Sequence, residues 1–339
     1  MANPTIDNVA QLAGVSIKTV SRVVNQEPNV KQQTRDKVQA AIDELGYKPN
    51  LSARSLASKR SYLVSLLYDN FLAASAYVVN LQCGVIERCR QEGYELLIHP
   101  LNYQAPNLIE EIERFINASG IDGLMLTPPL SDDPKLIDAL KTLGKPFVRI
   151  SPATCNGDAS CVYTDDRQVA DEMTQHLIDQ GHRQIAFIAG RPDHLAVGQR
   201  QLGYEDAMHR NGLTPSTCQG YSSFETGAEC ARQLLQAPQR PTAIFAGNDE
   251  MATGAISTAH EMGIAIPAQL SVAGFDDNDL ATHCWPAMTT VRQPVAEMAA
   301  AAADILLQSL KTKQPPVQQL QLQSSVVVRQ STAAISEPA

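Results

Sequence analysis

Long hydrophobic runs are absent from this chain of 339 residues. No stretch of about 18 consecutive apolar residues occurs, which argues against a transmembrane helix. The first eleven residues interleave polar and apolar side chains, so they lack the apolar core of a secretory signal and favour a cytoplasmic protein. Aromatic residues make up only 5% of the chain, yet 44% of the residues are hydrophobic and 19% are charged. Such a mixture is typical of globular proteins and excludes intrinsic disorder.

Paired cysteine motifs are also missing. The odd number of cysteines and the absence of a CxxC pair argue against a disulfide framework and a zinc site. We therefore expect free thiols in a reducing compartment. The histidines show no metal-ligand spacing either, so no metal and no cofactor is expected. The seven cysteines are Cys83, Cys89, Cys155, Cys161, Cys218, Cys230 and Cys284.

Motifs of the common enzyme classes are absent as well. The sequence contains no GxxxxGK phosphate loop, no GxGxxG after a strand, no HExxH and no GxSxG. We therefore expect a protein that is not an enzyme. An α/β sugar-processing enzyme is a remote alternative.

Negative charge predominates, but it is unevenly distributed. The chain carries a net charge of −9, whereas residues 1–60 hold nine basic and five acidic side chains, a local charge of +4. The remaining residues therefore carry −13. A small basic region on a large acidic body indicates that only the N-terminal region meets a polyanion such as DNA.

This basic N-terminal region has the pattern of three helices. The first begins after Thr5, a suitable N-cap, and ends at Gly14, which can adopt the left-handed conformation. Ser16 caps a second helix over 17–24, and a third spans about 32–45. Two short helices joined by a glycine-containing turn are typical of a helix-turn-helix.

The sequence AQLAGVSIKTVSRVVN at 10–25, followed by LGYKPN at 45–50, resembles the DNA-binding domain of the LacI/GalR family. A helix-turn-helix places its second helix in the major groove. There Arg22 can bond guanine bidentately, Lys18 can donate to guanine, and Ile17 can contact a thymine methyl. The resemblance implies that these three positions choose the operator. Side chains suited to phosphate contacts, or to ordinary helix capping, are Thr5, Ser16, Thr19, Ser21 and Asn25.

The segment 49–60 resembles the hinge helix of the same family, which orders on operator DNA. Pro49 blocks continuation of the third helix, and a flexible linker is the alternative. The resemblance implies that Leu56 and its counterpart in a second subunit wedge into the minor groove at a central CpG step. Ala53 and Arg54 fall in the matching helix.

After the hinge, short apolar runs alternate with helical patterns in two series. This alternation predicts an α/β fold with two doubly wound parallel sheets, one in each lobe. Ligands of such sheets bind beyond the carboxyl ends of the strands, so the cleft between the lobes is the expected pocket. The predicted boundaries are a helix-turn-helix domain at 1–48, a hinge at 49–60, an effector-binding core at 61–330 and a tail at 331–339. Within the core, the first lobe spans about 61–163 plus 293–324, and the second about 164–290 plus 325–330.

Several phrases of the core resemble the LacI/GalR effector domain, which is itself similar to periplasmic sugar-binding proteins. The resemblance implies that Arg200 anchors the ligand and that Asp276 accepts hydrogen bonds from sugar hydroxyls. Asn248 is a further ligand candidate, whereas Asp249 is expected to cap a helix. The phrases are GHRQIAFIAG (181–190), RQLGY (200–204), AIFAGNDEMA (243–252), VAGFDD (272–277) and MTTVRQP (288–294). The predicted ligand residues are Asp69, Asn70, Tyr77, Arg200, Tyr221, Asn248, Asp276 and Trp285.

One position departs from the family pattern. Where the family often carries a Gly-Asp-aromatic phrase, this chain has Tyr221 and Ser222 after the glycine. We expect Phe224 to fill a structural position. A stacking wall would then come from Tyr221, Trp285 or Tyr77, or the pocket would be wider and favour a di- or oligosaccharide.

The resemblance implies a transcriptional repressor of carbohydrate-utilisation genes that a neutral sugar releases from a pseudo-palindromic operator. The alternative is a DNA binder activated by a co-repressor such as a purine, an amino sugar or a sugar phosphate. A transport binding protein is disfavoured by the helix-turn-helix. Residues 331–339 contain no leucine heptads, so we expect a homodimer in the bacterial cytoplasm, associated with the nucleoid.

Overall fold

The computed structural model divides into two compact units, Met1–Tyr62 and Leu63–Ala339, which are described separately below. It describes residues 4–24, 29–47, 60–70, 75–157, 159–312 and 315–335. Four residues that we expect to touch DNA lie outside the described residues: Asn25, Ala53, Arg54 and Leu56.

The N-terminal unit contains the three expected helices. Gly14 and Gly46 both have φ of +62°, a conformation that ends a helix without steric cost to glycine. The side chains of Val9, Val20 and Val38 are fully buried between the helices. Burial of each such side chain contributes roughly 1.5–3 kcal/mol, which holds the three short helices together. The helices are α1 (Ile6–Ala13), α2 (Ile17–Val24) and α3 (Gln32–Leu45).

The first lobe of the larger unit is built on a parallel sheet covered by helices. Its strands are β1 (Leu63–Asp69), β2 (Glu95–Leu101), β3 (Gly123–Leu126), β4 (Phe147–Ile150), β5 (Cys161–Tyr163) and β11 (Gln319–Gln321). Its helices are α4 (Ala76–Gln91), α5 (Leu108–Ser119), α6 (Pro134–Thr142) and α12 (Val295–Lys311), with a 3₁₀ turn at Leu130–Asp132. The strand order is β11-β5-β4-β3-β1-β2. The central strands are nearly continuous apolar runs because helices bury both faces of the sheet.

The second lobe has the same architecture. Its strands are β6 (Ile185–Ala189), β7 (Ser216–Gln219), β8 (Ala243–Ala246), β9 (Ser271–Asp276), β10 (Thr289–Arg292) and β12 (Ser325–Val327). Its helices are α7 (Asp166–Asp179), α8 (Leu195–Arg210), α9 (Phe224–Gln236), α10 (Asp249–Glu261) and α11 (Asp279–His283). The order is β12-β10-β9-β8-β6-β7, and β12 alone among these strands pairs antiparallel, with β10. The predicted α/β fold with two parallel-sheet lobes is confirmed.

The chain passes between the lobes three times, after β5, after β10 and between β11 and β12. Helix α12 therefore completes the first lobe, although it follows the second lobe in the sequence. It lies so close to α4 that a Cβ atom on Gly84 would come within 2.2 Å of the carbonyl oxygen of Ala296. Only glycine fits at such a contact.

The segment expected to be a tail is partly built into the second lobe. Ser331 is fully buried, and its Oγ donates to the carbonyl of Val272 at 2.5 Å. The amide of Ala333 donates to Ser271 Oγ at 3.1 Å. Residues 331–335 thus extend the second lobe beyond the boundary that the sequence suggested.

The expectation that all cysteines are free is wrong for one pair. Cys155 and Cys161 form a disulfide, with their Cα atoms 6.4 Å apart. The two cysteines are six positions apart in the sequence, so the absence of a CxxC motif did not exclude their pairing. The other five cysteines are free. Within the described residues, no helix is long and apolar enough to span a membrane.

Candidate functional sites

Helix α2 of the N-terminal unit presents a polar face opposite its buried valines. Val20 and Val23 point into the core, whereas Ile17, Lys18 and Arg22 are exposed. Ile17 is 48% exposed, so its side chain is accessible to a partner. The three residues expected to choose the operator therefore share one accessible helix face.

Two of the predicted phosphate-contacting residues also cap helices. The hydroxyl of Ser16 accepts a hydrogen bond from the amide of Thr19 at 3.2 Å, and the two side-chain oxygens lie 2.9 Å apart. Thr5 precedes α1, and its amide donates to Asn8 Oδ1 at 2.8 Å. Thr5 and Ser16 remain exposed, while Ser21 is half-buried. Capping thus fixes the start of both helices of the helix-turn-helix motif.

A cavity of about 300 Å³ opens between the two lobes of the larger unit, beyond the carboxyl ends of their strands. This volume lies at the lower end of the range for small-molecule sites, roughly 300–1,000 Å³. The first lobe contributes Ser75, Tyr77 and Ser151 to the lining. The second lobe and the crossing after β10 contribute His194, Ala196, Val197, Arg200, Ser222, Ser223, Phe224, Asn248, Glu250, Asp276 and Gln293.

The guanidinium of Arg200 is held in this cavity by four contacts. Its Nε donates to Asp166 Oδ2 at 2.9 Å, and its Nη1 donates to the carbonyl of Gly247 at 2.6 Å. Nη1 also reaches Asp276 Oδ1 at 3.4 Å, and the guanidinium carbon lies 3.7 Å from the ring centre of Phe275. These contacts lock a nearly buried arginine in one orientation. A fixed guanidinium is suited to binding an oxygen-rich ligand.

Asp276 stands at the end of β9 in a conformation that few non-glycine residues adopt, with φ of +121°. Its Oδ1 accepts a hydrogen bond from Gln293 Nε2 at 3.2 Å, in addition to the contact with Arg200. Burial raises the pKa of the Asp276 carboxyl well above its usual value. Backbone strain of this kind is typical of functional sites, where it aims a side chain.

The structure gives the capping role expected for Asp249 to its neighbour Asn248. Asn248 is the N-cap of α10, since its Oδ1 accepts from the amide of Met251 at 3.0 Å. Asp249 is completely buried and accepts hydrogen bonds from Thr290 Oγ1 at 2.6 Å and from the amide of Asn278 at 3.0 Å. Asp249 was expected to be the cap, but it joins α10 to β10 instead. Asn248 still lines the cavity.

Two further polar groups of the cavity have pKa values that burial moves further from neutrality. The Tyr77 hydroxyl donates to Ser151 Oγ at 3.1 Å, and burial raises its pKa. Burial also lowers the pKa of His194 to about 3, with repulsion from Arg200 acting in the same direction. At neutral pH both side chains are therefore neutral and able to donate or accept a hydrogen bond.

Of the predicted ligand residues, the structure brings together Tyr77, Arg200, Asn248 and Asp276 in the cavity lining. Asn70 is exposed, and Asp69 is buried in an ion pair outside the lining. Tyr221 is 51% exposed and borders a separate shallow depression. Trp285 is 80% exposed. Neither aromatic residue lines the cavity.

The aromatic wall of the cavity comes instead from Phe224, which was expected to be structural. Phe224 follows the N-cap Ser223 at the start of α9 and is 41% exposed. A signal for Phe224 was present in the sequence, since an aromatic residue lies close to the expected position. His194 and Glu250 were also missed. No local motif marks His194, and Glu250 sits inside the phrase that drew attention to Asn248.

Asp69 takes part in a contact between the lobes. Its Oδ2 accepts from Arg191 Nη1 at 2.7 Å, and the side chains of Asp69 and Arg191 are 6% and 14% exposed. Nearby, Gln104 Nε2 donates to Asp193 Oδ2 at 2.8 Å, again from the first lobe to the second. These polar bridges connect the lobes beside the cavity.

Two family models match the chain. Residues 5–50 match the bacterial regulatory proteins of the lacI family, and residues 174–332 match a periplasmic binding protein-like domain. The ribose operon repressor of Escherichia coli K12 is 32% identical over 335 residues, covering 97% of this chain and 99% of the repressor.

Two solved structures are also similar to nearly the whole chain. The lac repressor dimer bound to operator and the anti-inducer ONPF has a TM-score of 0.79 and 29% identity, covering 98% of this chain and 100% of that one. A complex of the transcriptional regulator CelR with cellobiose has a TM-score of 0.74 and 31% identity, covering 97% and 99%. The similarity thus extends over both units of the chain.

Proposed function

We propose that this chain, which belongs to the lacI family of bacterial regulatory proteins, is a sequence-specific transcriptional repressor of carbohydrate-utilisation genes. The observation that carries the proposal is the pairing of two features in one chain. A helix-turn-helix exposes Ile17, Lys18 and Arg22 on one face. A separate two-lobed unit encloses a cavity into which Arg200 and Asp276 bring buried polar groups. The first feature suits DNA, and the second suits a small polar effector.

The DNA-binding role rests on the chemistry of α2. Arg22 bonds a guanine edge, Lys18 donates to a second base, and Ile17 packs on a thymine methyl. Phosphate contacts fix the register without specifying sequence. Thr5, Ser16, Thr19, Ser21 and Asn25 supply these contacts. Ala53, Arg54 and Leu56 belong to a hinge that enters the minor groove, where a leucine wedge at a central step bends the duplex.

The effector is a neutral sugar bound between the lobes. Arg200 donates to sugar oxygens, Asp276 accepts from sugar hydroxyls, and Asn248 can do both. Phe224 offers an apolar face to the sugar ring. The relative CelR is described in complex with cellobiose, and the ribose repressor is named for a pentose. A sugar of one or two rings is the class that we assign to this cavity.

Release from DNA follows from differential affinity. The protein binds a pseudo-palindromic operator as a homodimer, as the operator-bound lac repressor is a dimer. Sugar binding changes the relative orientation of the lobes and separates the two hinge helices. The coupling between sugar and DNA is reciprocal and typically amounts to about 1–3 kcal/mol. The protein is not an enzyme, and it acts in the cytoplasm on the bacterial nucleoid.

The test is an operator-release experiment. The purified protein first selects the duplexes that it retains from a random pseudo-palindromic library. Fluorescence anisotropy then measures its binding to the selected duplexes. At least one of four sugars is expected to lower DNA affinity at least fivefold: ribose, glucose, cellobiose or maltose. A purine or sugar phosphate that increases DNA affinity would replace the proposal with a co-repressor mechanism. A protein that retains no duplex in preference to random DNA would contradict the repressor function itself.

A further inference from the structure

Glu250 brings a second carboxylate to the cavity, next to the residues already described. It lies in the first turn of α10 and is half-buried. Among the described residues its carboxylate forms no ion pair and no side-chain hydrogen bond. Burial raises its pKa, while a hydrogen bond from its own amide and attraction to Arg200 oppose that rise. This carboxylate is therefore available to a ligand in the cavity.

Two carboxyl groups other than Glu250 already contact the Arg200 guanidinium. Asp166 lies 2.9 Å from the guanidinium on one side, and Asp276 lies 3.4 Å from it on the other. Among the described residues that line the cavity, there is no lysine and no second arginine. His194 adds no positive charge at neutral pH, because burial holds its pKa at about 3. The lining thus holds two carboxyl groups, Asp276 and Glu250, against a single permanently charged cation, Arg200.

Such a cavity discriminates between ligands of similar shape. A carboxylate in a partly desolvated site accepts strong hydrogen bonds from hydroxyl or ammonium groups. The same carboxylate repels an anionic group, and the repulsion is screened much less than it would be in water. Rejection of a competing ligand by a like charge is a common route to specificity.

We propose that Glu250 selects the effector by charge, accepting hydrogen bonds from a neutral or amino sugar and excluding sugars that carry a phosphate or a carboxylate. This inference rests on the proposed function and adds to it the residue that sets the ligand class. Asp276 and Arg200 bind the sugar, whereas Glu250 decides which substituents the sugar can carry.

The experiment compares the wild-type protein with Glu250→Gln, which removes the charge at nearly constant shape. Isothermal titration calorimetry uses sugars that share a skeleton but differ in charge: glucose, glucosamine and glucose 6-phosphate, then ribose and ribose 5-phosphate, with cellobiose added. The wild type is expected to bind a neutral or amino member at least tenfold more tightly than its phosphorylated counterpart. Glu250→Gln should weaken binding of that member at least fivefold. It should also reduce the difference in affinity between that member and its phosphorylated counterpart.

Glu225→Gln is the matched control, since Glu225 also lies in a first helical turn of the second lobe but is exposed and outside the cavity lining. It should leave all affinities unchanged. Urea unfolding without ligand should find Glu250→Gln at least as stable as the wild type, because an uncompensated carboxylate has been removed. Lower stability would assign Glu250 to structure and overturn the inference.

Two other outcomes would also overturn it. One is equal binding of the neutral sugar by the wild type and Glu250→Gln. The other is tight binding of a phosphorylated sugar to the wild type, which would leave the proposed repressor function intact if that sugar also released DNA. A panel with no bound sugar would refute the sugar effector of the proposed function, and this inference with it.

Discussion

The N-terminal helical unit and the two-lobed core place their functional residues in opposite ways. In the N-terminal unit, Ile17, Lys18 and Arg22 lie within one helix and are exposed. In the core, the cavity gathers side chains from Ser75 to Gln293, and its central arginine is only 5% exposed. Exposed residues on one helix can be exchanged with little effect on folding. Buried residues drawn from distant segments belong to the folding core as well as to the site.

This contrast predicts different consequences for comparable substitutions. Changes on the face of α2 should alter DNA binding and leave stability nearly unchanged. Changes in the cavity should alter ligand binding and stability together, since ligand contacts and structural contacts use the same atoms. Substitutions of Arg200, Arg22, Asp69 and Asp249 test this contrast.

Arg200→Ala should have the largest effect. It leaves the buried carboxylates of Asp166 and Asp276 without their partner, and breaking a buried pair typically costs about 3–5 kcal/mol of unfolding free energy. Urea unfolding measures this loss, and the anisotropy assay should find no sugar-induced release of DNA. The matched control is Arg167→Ala, whose ion pair with Asp206 lies on the surface with the arginine side chain 49% exposed. Equal loss of stability in both variants would contradict the contrast.

Arg22→Ala should reduce operator affinity by about 1–3 kcal/mol, the usual value of a good bidentate contact with a base. Its melting temperature should stay close to that of the wild type, because the side chain lies on the exposed face of α2. Anisotropy with the selected duplex and with an unrelated duplex separates two roles. A loss confined to the selected duplex supports base recognition, whereas an equal loss on both would make Arg22 a phosphate contact.

Asp69→Asn should weaken sugar binding, although Asp69 lies outside the cavity lining, and its effect should be smaller than that of Arg22→Ala on DNA binding. It weakens the bridge to Arg191 that connects the lobes, so closing the lobes around a ligand costs more. We expect about fivefold weaker sugar binding, a coupling of about 1 kcal/mol. Calorimetry with the sugar found above measures the change. The control is Asp206→Asn, which alters an arginine pair within a single lobe. If the control shows the same loss, the bridge between the lobes has no special role.

Asp249→Asn should change the pH dependence of stability. Burial raises the folded-state pKa of Asp249 to about 7, above its ordinary value of 3.8. The unfolded chain therefore loses this proton at lower pH than the folded protein does, so stability decreases as pH rises from about 4 to above 7. Urea unfolding across this range should show a flatter profile for Asp249→Asn. An identical slope in the two proteins would rule out titration of Asp249 in this window.

The sequence predicted the elements of the fold better than the details of the site. The alternation of strands and helices in the core could be predicted because buried parallel strands such as β3, β4, β6 and β8 are short apolar runs between turn residues. Arg200 and Asp276 could be chosen because they sit in recognisable phrases. Trp285 was chosen for its chemistry alone, and the structure exposes it to solvent.

What the sequence by itself determined is therefore local: the three N-terminal helices, the exposed face of α2, the alternation of strands and helices, and the family. Helix and strand periodicity act over a few residues, so these features can be seen without a fold. The tertiary structure decided which residues meet across long separations. It joined Cys155 to Cys161 in a disulfide, bonded the buried Asp249 to Thr290, and placed Phe224 and Glu250 in the cavity lining. Contacts of this kind depend on how the chain crosses between the lobes and on how the sheets pack, and no local pattern encodes either.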